Sequence, residues 1–315
     1  MVKNVQKCTK MGGVVNIKKI AMVALLLPVL GLLGYISWNL TKEHALPEWE
    51  LPLAPLNAPD VAVLERAFER LDYPWPLAAD AEVPPVMVDP LPEDLGSVTD
   101  VKLKKSLFFR SLLPMVLAEN KMLNEQRRFM LALFSRQALP PRESDKRQWL
   151  EAQLVTYRIK GDIEDEATRA ELARRLDEIP VALVLAQAAN ESAWGSSRFA
   201  REANNLFGEW TYKEDEGLIP EARAEGESHA VRVFPTLRAS VQSYMNNINS
   251  GRAYEELRAM REKMRNEQKA LDALKLANGL LRYSERGEAY VEEIKKMIRS
   301  NRLNRLSSVT LRVER

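Results

Sequence analysis

Apolar positions recur at helical spacing along most of the chain from residue 101 onward. Between Val101 and Gln137, Leu107, Phe108, Leu112, Met115, Val116 and Met130 stand among many residues three and four apart. This spacing predicts a long helix. Thr99 or Asp100 would cap it, and Pro114 predicts a kink or break within it. A second helix is expected from Ser144 to Lys160, with Trp149, Leu150, Leu154 and Tyr157 inward and Gly161 as its stop. A third runs from Asp165 to Glu178. Val181 to Ala186 is apolar on every face, which places that helix inside a core. After Gly208 the period changes. Glu209 to Gly226 is charged and irregular, and Ala230 to Phe234 alternates, so a small two- or three-stranded β lobe is expected between Glu209 and Phe234. Helices resume at Thr236, continue as one or two from Tyr254 to Leu281 with an interruption near Asn266, and end with Gly287 to Ser300. The chain is expected to fray from Ser307.

Ahead of Val101 the pattern is different. Residues 1–19 carry five lysines and no acid, and Ile20 to Trp38 is uncharged. That length spans a bilayer as a helix, and the preceding lysines put the N-terminus in the cytoplasm. Residues 20–40 are therefore read as an inner-membrane anchor and the remainder as periplasmic; a cleaved signal peptide is the rival, with a shorter apolar core and an A-x-A-like site. Ten of the 17 prolines lie between Ala45 and Asp94, so residues 41–98 are expected as an extended tether, with one short helix over Val61 to Leu71.

Composition narrows the chemistry. The net charge of +2 gives no field that would steer the chain to nucleic acid. Cys8 is the only cysteine and precedes the apolar segment, so the rest of the chain has neither a disulfide nor a thiol nucleophile. His44 and His229 are the only histidines, too few for a comfortable zinc site or triad. Carboxylates remain, and no metal or cofactor is expected.

The segment Val181 to Gly208 carries the candidate chemistry. Near the end of its apolar helix stands Glu191, with Gln187 and Trp194 spaced to share its face, before Gly195 stops the helix. A lone helical Glu is most often solvated or paired. One beside a Trp at a buried helix end is costly when charged, and such a setting raises a Glu pKa toward general-acid use. Asn204 and Asn205, Phe207, Trp210 and Tyr212 follow closely. Amides bond sugar hydroxyls and acetamides, and rings cover apolar sugar faces.

AQAANESAWGSSRFA followed by NNLFG resembles the signature of bacterial cell-wall N-acetylglucosaminidases, glycoside hydrolase family 73, in its Bax-like branch. The likeness runs from about Val101 to Leu306. It implies a mainly α (α+β), lysozyme-like helical domain with a small β lobe over residues 99–306, followed by a tail over 307–315. It further implies a peptidoglycan hydrolase that cuts the β-1,4 bond after N-acetylglucosamine, with Glu191 as general acid. Arg282-Tyr283-Ser284 before Glu288-Ala289-Tyr290-Val291 resembles the family's tyrosine-containing segment. That makes Tyr283 a cleft residue orienting acetamide or water and leaves Tyr290 to packing. The family often draws a second acid from the β lobe. Here Arg223 stands where many relatives carry glutamate, so Glu221 is the choice, with attack by the substrate's own acetamide as the alternative. Gln187, Asn205, Phe207, Trp210 and Tyr244 are expected along the substrate groove, and Trp194 as apolar support for Glu191. Rival readings are a lytic transglycosylase leaving 1,6-anhydro ends and a non-catalytic peptidoglycan-binding scaffold. Protein partners are not legible.

Overall fold

The computed structural model describes residues 46–213, 215, 217–219 and 229–312. The basic N-terminus and the Ile20–Trp38 segment lie outside them, and among the described residues no helix is long and apolar enough to cross a membrane.

Side-chain caps start most of the helices. Asp60 accepts from the Val63 N–H at 2.8 Å and opens α1 (Val61–Arg70). Asp100 does the same for α2 (Val101–Phe134), Ser144 for α3 (Asp145–Thr156) and Thr236 for the helix Leu237–Ser250. Between the last two lie α4 (Glu166–Arg175), α5 (Val181–Glu191) and the short α6 (Arg198–Glu202). Leu237–Ser250 is α7, followed by α8 (Glu255–Asn266), α9 (Ala273–Leu276) and α10 (Glu288–Ser300). Pro114 does not break α2: the helix is continuous for 34 residues. Leu107 to Asn120 is buried without interruption, so packing on all sides outweighs the one missing N–H.

Apolar on every face, α5 is the central helix, as expected. Val181 through Ala189 are all buried, and α2, α10 and the 3-10 turn Leu303–Ser308 pack around it. The expected β lobe is present as three short antiparallel strands. Trp210–Thr211 (β4) and Gly217–Leu218 (β5) flank Ala230–Arg232 (β6).

Two expectations fail. Residues 46–97 are not an extended tether but are folded onto the helical body. Ala54–Leu56 (β1) pairs in parallel with Val86–Val88 (β3), and Glu82–Val83 (β2) pairs with Thr310–Leu311 (β7). Leu64, Phe68, Val83 and Val88 are fully buried, Trp75 stacks on Phe109 at 5.4 Å, and Arg110 donates to the Tyr73 carbonyl at 3.0 Å. The prolines divide the segment into short runs instead of stretching it, and each run turns an apolar side chain inward. For the same reason residues 307–312 are not frayed. Val309 is buried, the Thr310 N–H donates to the Ala81 carbonyl at 3.2 Å, and the Arg312 N–H to the Val83 carbonyl at 2.7 Å. A partner some 230 residues away in sequence leaves no local signal.

Just before α5, Asp177 is 2 % exposed. Arg265 donates to it at 2.7 and 3.1 Å, and Arg127 and Arg261 approach within 3.7 Å. Burial works against its charge, yet Arg261, Arg265 and Arg127 outweigh burial and hold the carboxyl below its usual value. As pH falls, the unfolded chain, titrating near about 3.9, takes up this proton first. The cluster's contribution is therefore complete above about pH 5 and is lost as pH falls through the folded value. Asp177→Asn is expected to cost about 3–5 kcal/mol at neutral pH. Denaturant melts of the two chains should converge as pH falls below about 4; parallel curves down to pH 2 would count against this role.

Candidate active site

At the C-terminal tip of α5 the buried helix delivers Glu191 half-exposed into a cleft of about 600 Å³. Glu209, Phe207, Trp210, Tyr254 and Tyr283 also line it. The chain turns away at once through Ala193, Trp194 and Gly195, all at positive φ. Gly195 stands at φ +75°, and a Cβ there would meet the Leu91 Cδ1 at 2.6 Å, so a side chain would strain the turn where it closes against the N-terminal segment. The helix ends at Glu191, so Trp194 is not on its face. The indole packs edge-on against Phe108 and Phe109, at 5.9 and 5.2 Å, and Lys105 lies over it.

Behind the carboxyl runs a buried chain of hydrogen bonds. Tyr244 donates to Gln187 Oε1. Gln187 Nε2 donates to the Tyr290 hydroxyl at 2.8 Å, and Tyr290 donates to Glu191 Oε1 at 2.8 Å. Asn190 adds a bond to the same oxygen at 3.3 Å. Burial, and then the nearby Glu191, push the Tyr290 hydroxyl far up, so it stays protonated and can only donate toward the carboxylate. Oε1 is thereby committed to the protein. Among the described residues nothing bonds Oε2, which is the oxygen left for a substrate. Tyr283 stacks on Tyr290 at 5.1 Å and donates to the Phe207 carbonyl at 3.2 Å, and Phe207 stacks on Tyr244 at 3.9 Å. A ring thus stacks on each phenol of the relay.

The sequence-derived residues separate into two groups. Glu191, Phe207, Trp210 and Tyr283 do line the cleft. Trp210 is 57 % exposed with its ring against His229, a face open to a sugar ring. Gln187, Asn205 and Tyr244 are buried and do not reach the groove. Gln187 and Tyr244 are the relay. Asn205 donates to the Glu209 and Arg232 carbonyls, both at 2.8 Å, and accepts from the Glu209 N–H at 3.0 Å. Its amide is wholly spent on the turn, and Asn204 donates to the Phe234 carbonyl at 3.1 Å. Glu221 and Arg223 lie outside the described residues.

Two further residues belong to the site by position. Tyr290 occupies a core stripe, and no local signal reveals that its hydroxyl meets Glu191. Glu209 was one acid among several in a charged loop; its place directly after the NNLFG turn was the available clue. The Asn205 clamp fixes its backbone, Ser243 donates to Oε2 at 2.7 Å, and Oε1 is buried without a partner among the described residues. Burial raises its pKa, against the Ser243 bond and Arg232. Tyr254, pushed up to about 12, is raised first by burial and then by Glu209 and Glu191 together. Both carboxylates therefore act on one wall of one cleft. Among the described residues no three His, Cys, Asp or Glu side chains gather to hold a metal.

Tyr290→Phe keeps the stacked ring and removes the shorter of the two hydrogen bonds to Glu191. It is expected to lower kcat about tenfold with KM little changed, as one orienting hydrogen bond to a charged group warrants. An unchanged kcat on isolated glycan would remove Tyr290 from this role.

Residues 167–303, which hold Glu191, Glu209, Tyr283 and Tyr290, match the Glucosaminidase family, described as mannosyl-glycoprotein endo-beta-N-acetylglucosaminidase. Protein bax of Escherichia coli (strain K12) is 28% identical over 200 residues, covering 63% of this chain and 70% of that protein. No solved structure matches the chain. Residues 167–303 are thus a glucosaminidase-like domain, which supports a glycoside hydrolase of the endo-β-N-acetylglucosaminidase type, and the chain is similar to a Bax protein.

Proposed function

We propose that this glycoside hydrolase cuts the β-1,4 bond after N-acetylglucosamine in peptidoglycan strands, with Glu191 as general acid. The observation that carries the reading is the single carboxyl oxygen left free at the tip of a buried helix, its partner oxygen fixed by Tyr290. Oε2 protonates the leaving glycosidic oxygen as positive charge develops at the anomeric carbon. The phenolic dipoles behind Oε1 then stabilise the carboxylate that remains. Trp210 supplies an exposed face for a sugar ring, and Tyr283 borders the place of the acetamide or attacking water.

For the attacking side, Glu209 is the second carboxyl on this cleft among the described residues. Glu221, named from sequence, and the substrate's acetamide are its rivals. Glu209→Gln and Glu221→Gln, assayed together, identify the acid whose loss lowers kcat and is rescued by azide. The apolar run Ile20–Trp38 behind five lysines supports an inner-membrane anchor with the hydrolase in the periplasm. Alkaline extraction of membranes should leave the full chain in the pellet; its release would overturn the anchor.

The products test the reaction. Digested cell-wall glycan should yield new reducing N-acetylglucosamine ends by mass spectrometry. Anhydro-muramyl ends would instead make the chain a lytic transglycosylase, and binding without cleavage would make it a scaffold.

A further inference from the structure

Beside the catalytic cleft lies a second cavity of about 650 Å³, and Arg158 lines both. The cavity sits between the loop after α3, helix α4 and the end of α7. Arg175 holds these walls together, donating to the carbonyls of Tyr157 at 2.6 Å and Ser250 at 3.3 Å. Arg158, Lys160 and Arg252 are exposed along its rim, and among the described residues none of the three is in an ion pair. Two carboxylates share the lining. Glu171 is taken by Arg175 at 2.5 Å, and Glu255 is exposed.

The interior of the cavity is equally suited to an anion. Ser250 is 3 % exposed and lines it, yet its hydroxyl has no hydrogen-bond partner among the described residues. Arg258 lies beside it, donating to the Ile248 and Gly251 carbonyls through Nη1 while its buried Nη2 is unpartnered. Burial, followed by repulsion from Arg175, lowers the Arg258 pKa to about 10. Positive charge is concentrated where a donor hydroxyl is unspent. A buried unpaired donor is costly unless a ligand supplies the acceptor.

We propose that this cavity is a subsite for a carboxylate of the peptide branch borne by the glycan strand, held by Arg158, Lys160, Arg252 and the Ser250 hydroxyl. The proposal rests on the peptidoglycan reading above. A strand lying in the cleft would carry its branch outward past Arg158, and such branches bear free carboxylates while the sugar backbone around them is neutral. The chain would thus favour peptide-bearing over stripped strands.

The test compares the full chain with its Lys160→Glu/Arg252→Glu variant. The substrates are glycan strands bearing peptides and the same strands stripped by an amidase, with the lactyl carboxylate that this hydrolysis leaves on the sugar capped as a simple amide. Wild type should show about tenfold lower KM on peptide-bearing strands, an advantage the variant loses. Turnover of stripped strands should stay within about twofold. Free peptide released by the amidase should inhibit wild type at low salt and not the variant. Equal KM on both substrates in wild type overturns the subsite while leaving the hydrolase standing. Failure to cut either strand overturns the peptidoglycan reading and this inference with it. A variant equally impaired on both strands also overturns the subsite, and Lys160→Ala/Arg252→Ala repeats the test should the reversed charges disturb folding.

Discussion

Glu191→Gln is expected to lower kcat on glycan strands by about 10²–10⁴-fold, the usual contribution of a positioned general acid, while thermal melting is little changed. Glutamine has the shape of glutamate, and its carbonyl oxygen can still accept from Tyr290, so the buried relay keeps every partner. What disappears is the transferable proton on the other atom. Glu191→Ala is a poorer experiment. It strands the Tyr290 hydroxyl in a buried setting, at a cost of about 1–3 kcal/mol, and confuses folding with chemistry. The split between kcat and KM carries the diagnosis: an interaction made only in the transition state lowers kcat and kcat/KM equally. Activity within about threefold of wild type would take Glu191 out of the acid role. The drop should exceed that of Tyr290→Phe, since one change removes the proton and the other only its alignment.

Glu191 was legible because its surroundings are written consecutively. A helix whose first six positions are all apolar ends in a carboxylate, and a glycine at φ +75° follows within about one turn. The other half of the site is not consecutive. Tyr290 meets Glu191 across 99 positions, and on α10 it has the same spacing whether its hydroxyl is idle or essential. Asn205 shows the reverse failure. An amide in a turn reads alike whether it faces a sugar or clamps Glu209 and Arg232, and only the closed fold decides. The helices followed their caps and stripes closely, because these are signals within a few residues. In the N-terminal segment the proline density predicts extension, yet the short runs between prolines fold inward. Leu64 and Phe68 on α1 already formed an inward face whose partner, α2, begins some 30 residues later.

Burial of the N-terminal segment gives the largest expected effect on stability: a chain beginning at Thr99 should not fold. Its loss removes Leu64, Phe68, Tyr73, Val83, Val88 and Leu95 from the core, each no more than 1 % exposed. At about 1.5–3 kcal/mol per buried side chain, these six alone contribute on the order of 10 kcal/mol. A whole domain is stable by about 5–15 kcal/mol. The cut also exposes Phe109, deprives Arg110 of its acceptor on Tyr73, and leaves the β7 edge without β2. A chain beginning at Leu46 keeps all of these contacts and should melt cooperatively and cut glycan. The comparison is circular dichroism and turnover of the two truncations, and a cooperative melt from residues 99–315 would refute the claim. The consequence reaches the chemistry as well. Leu91 packs directly against Gly195 in the turn that follows Glu191, so the N-terminal segment supports the tip of α5 from behind. Any fraction of the shorter chain that did refold would lack that support, and its kcat should fall further than its folded population accounts for.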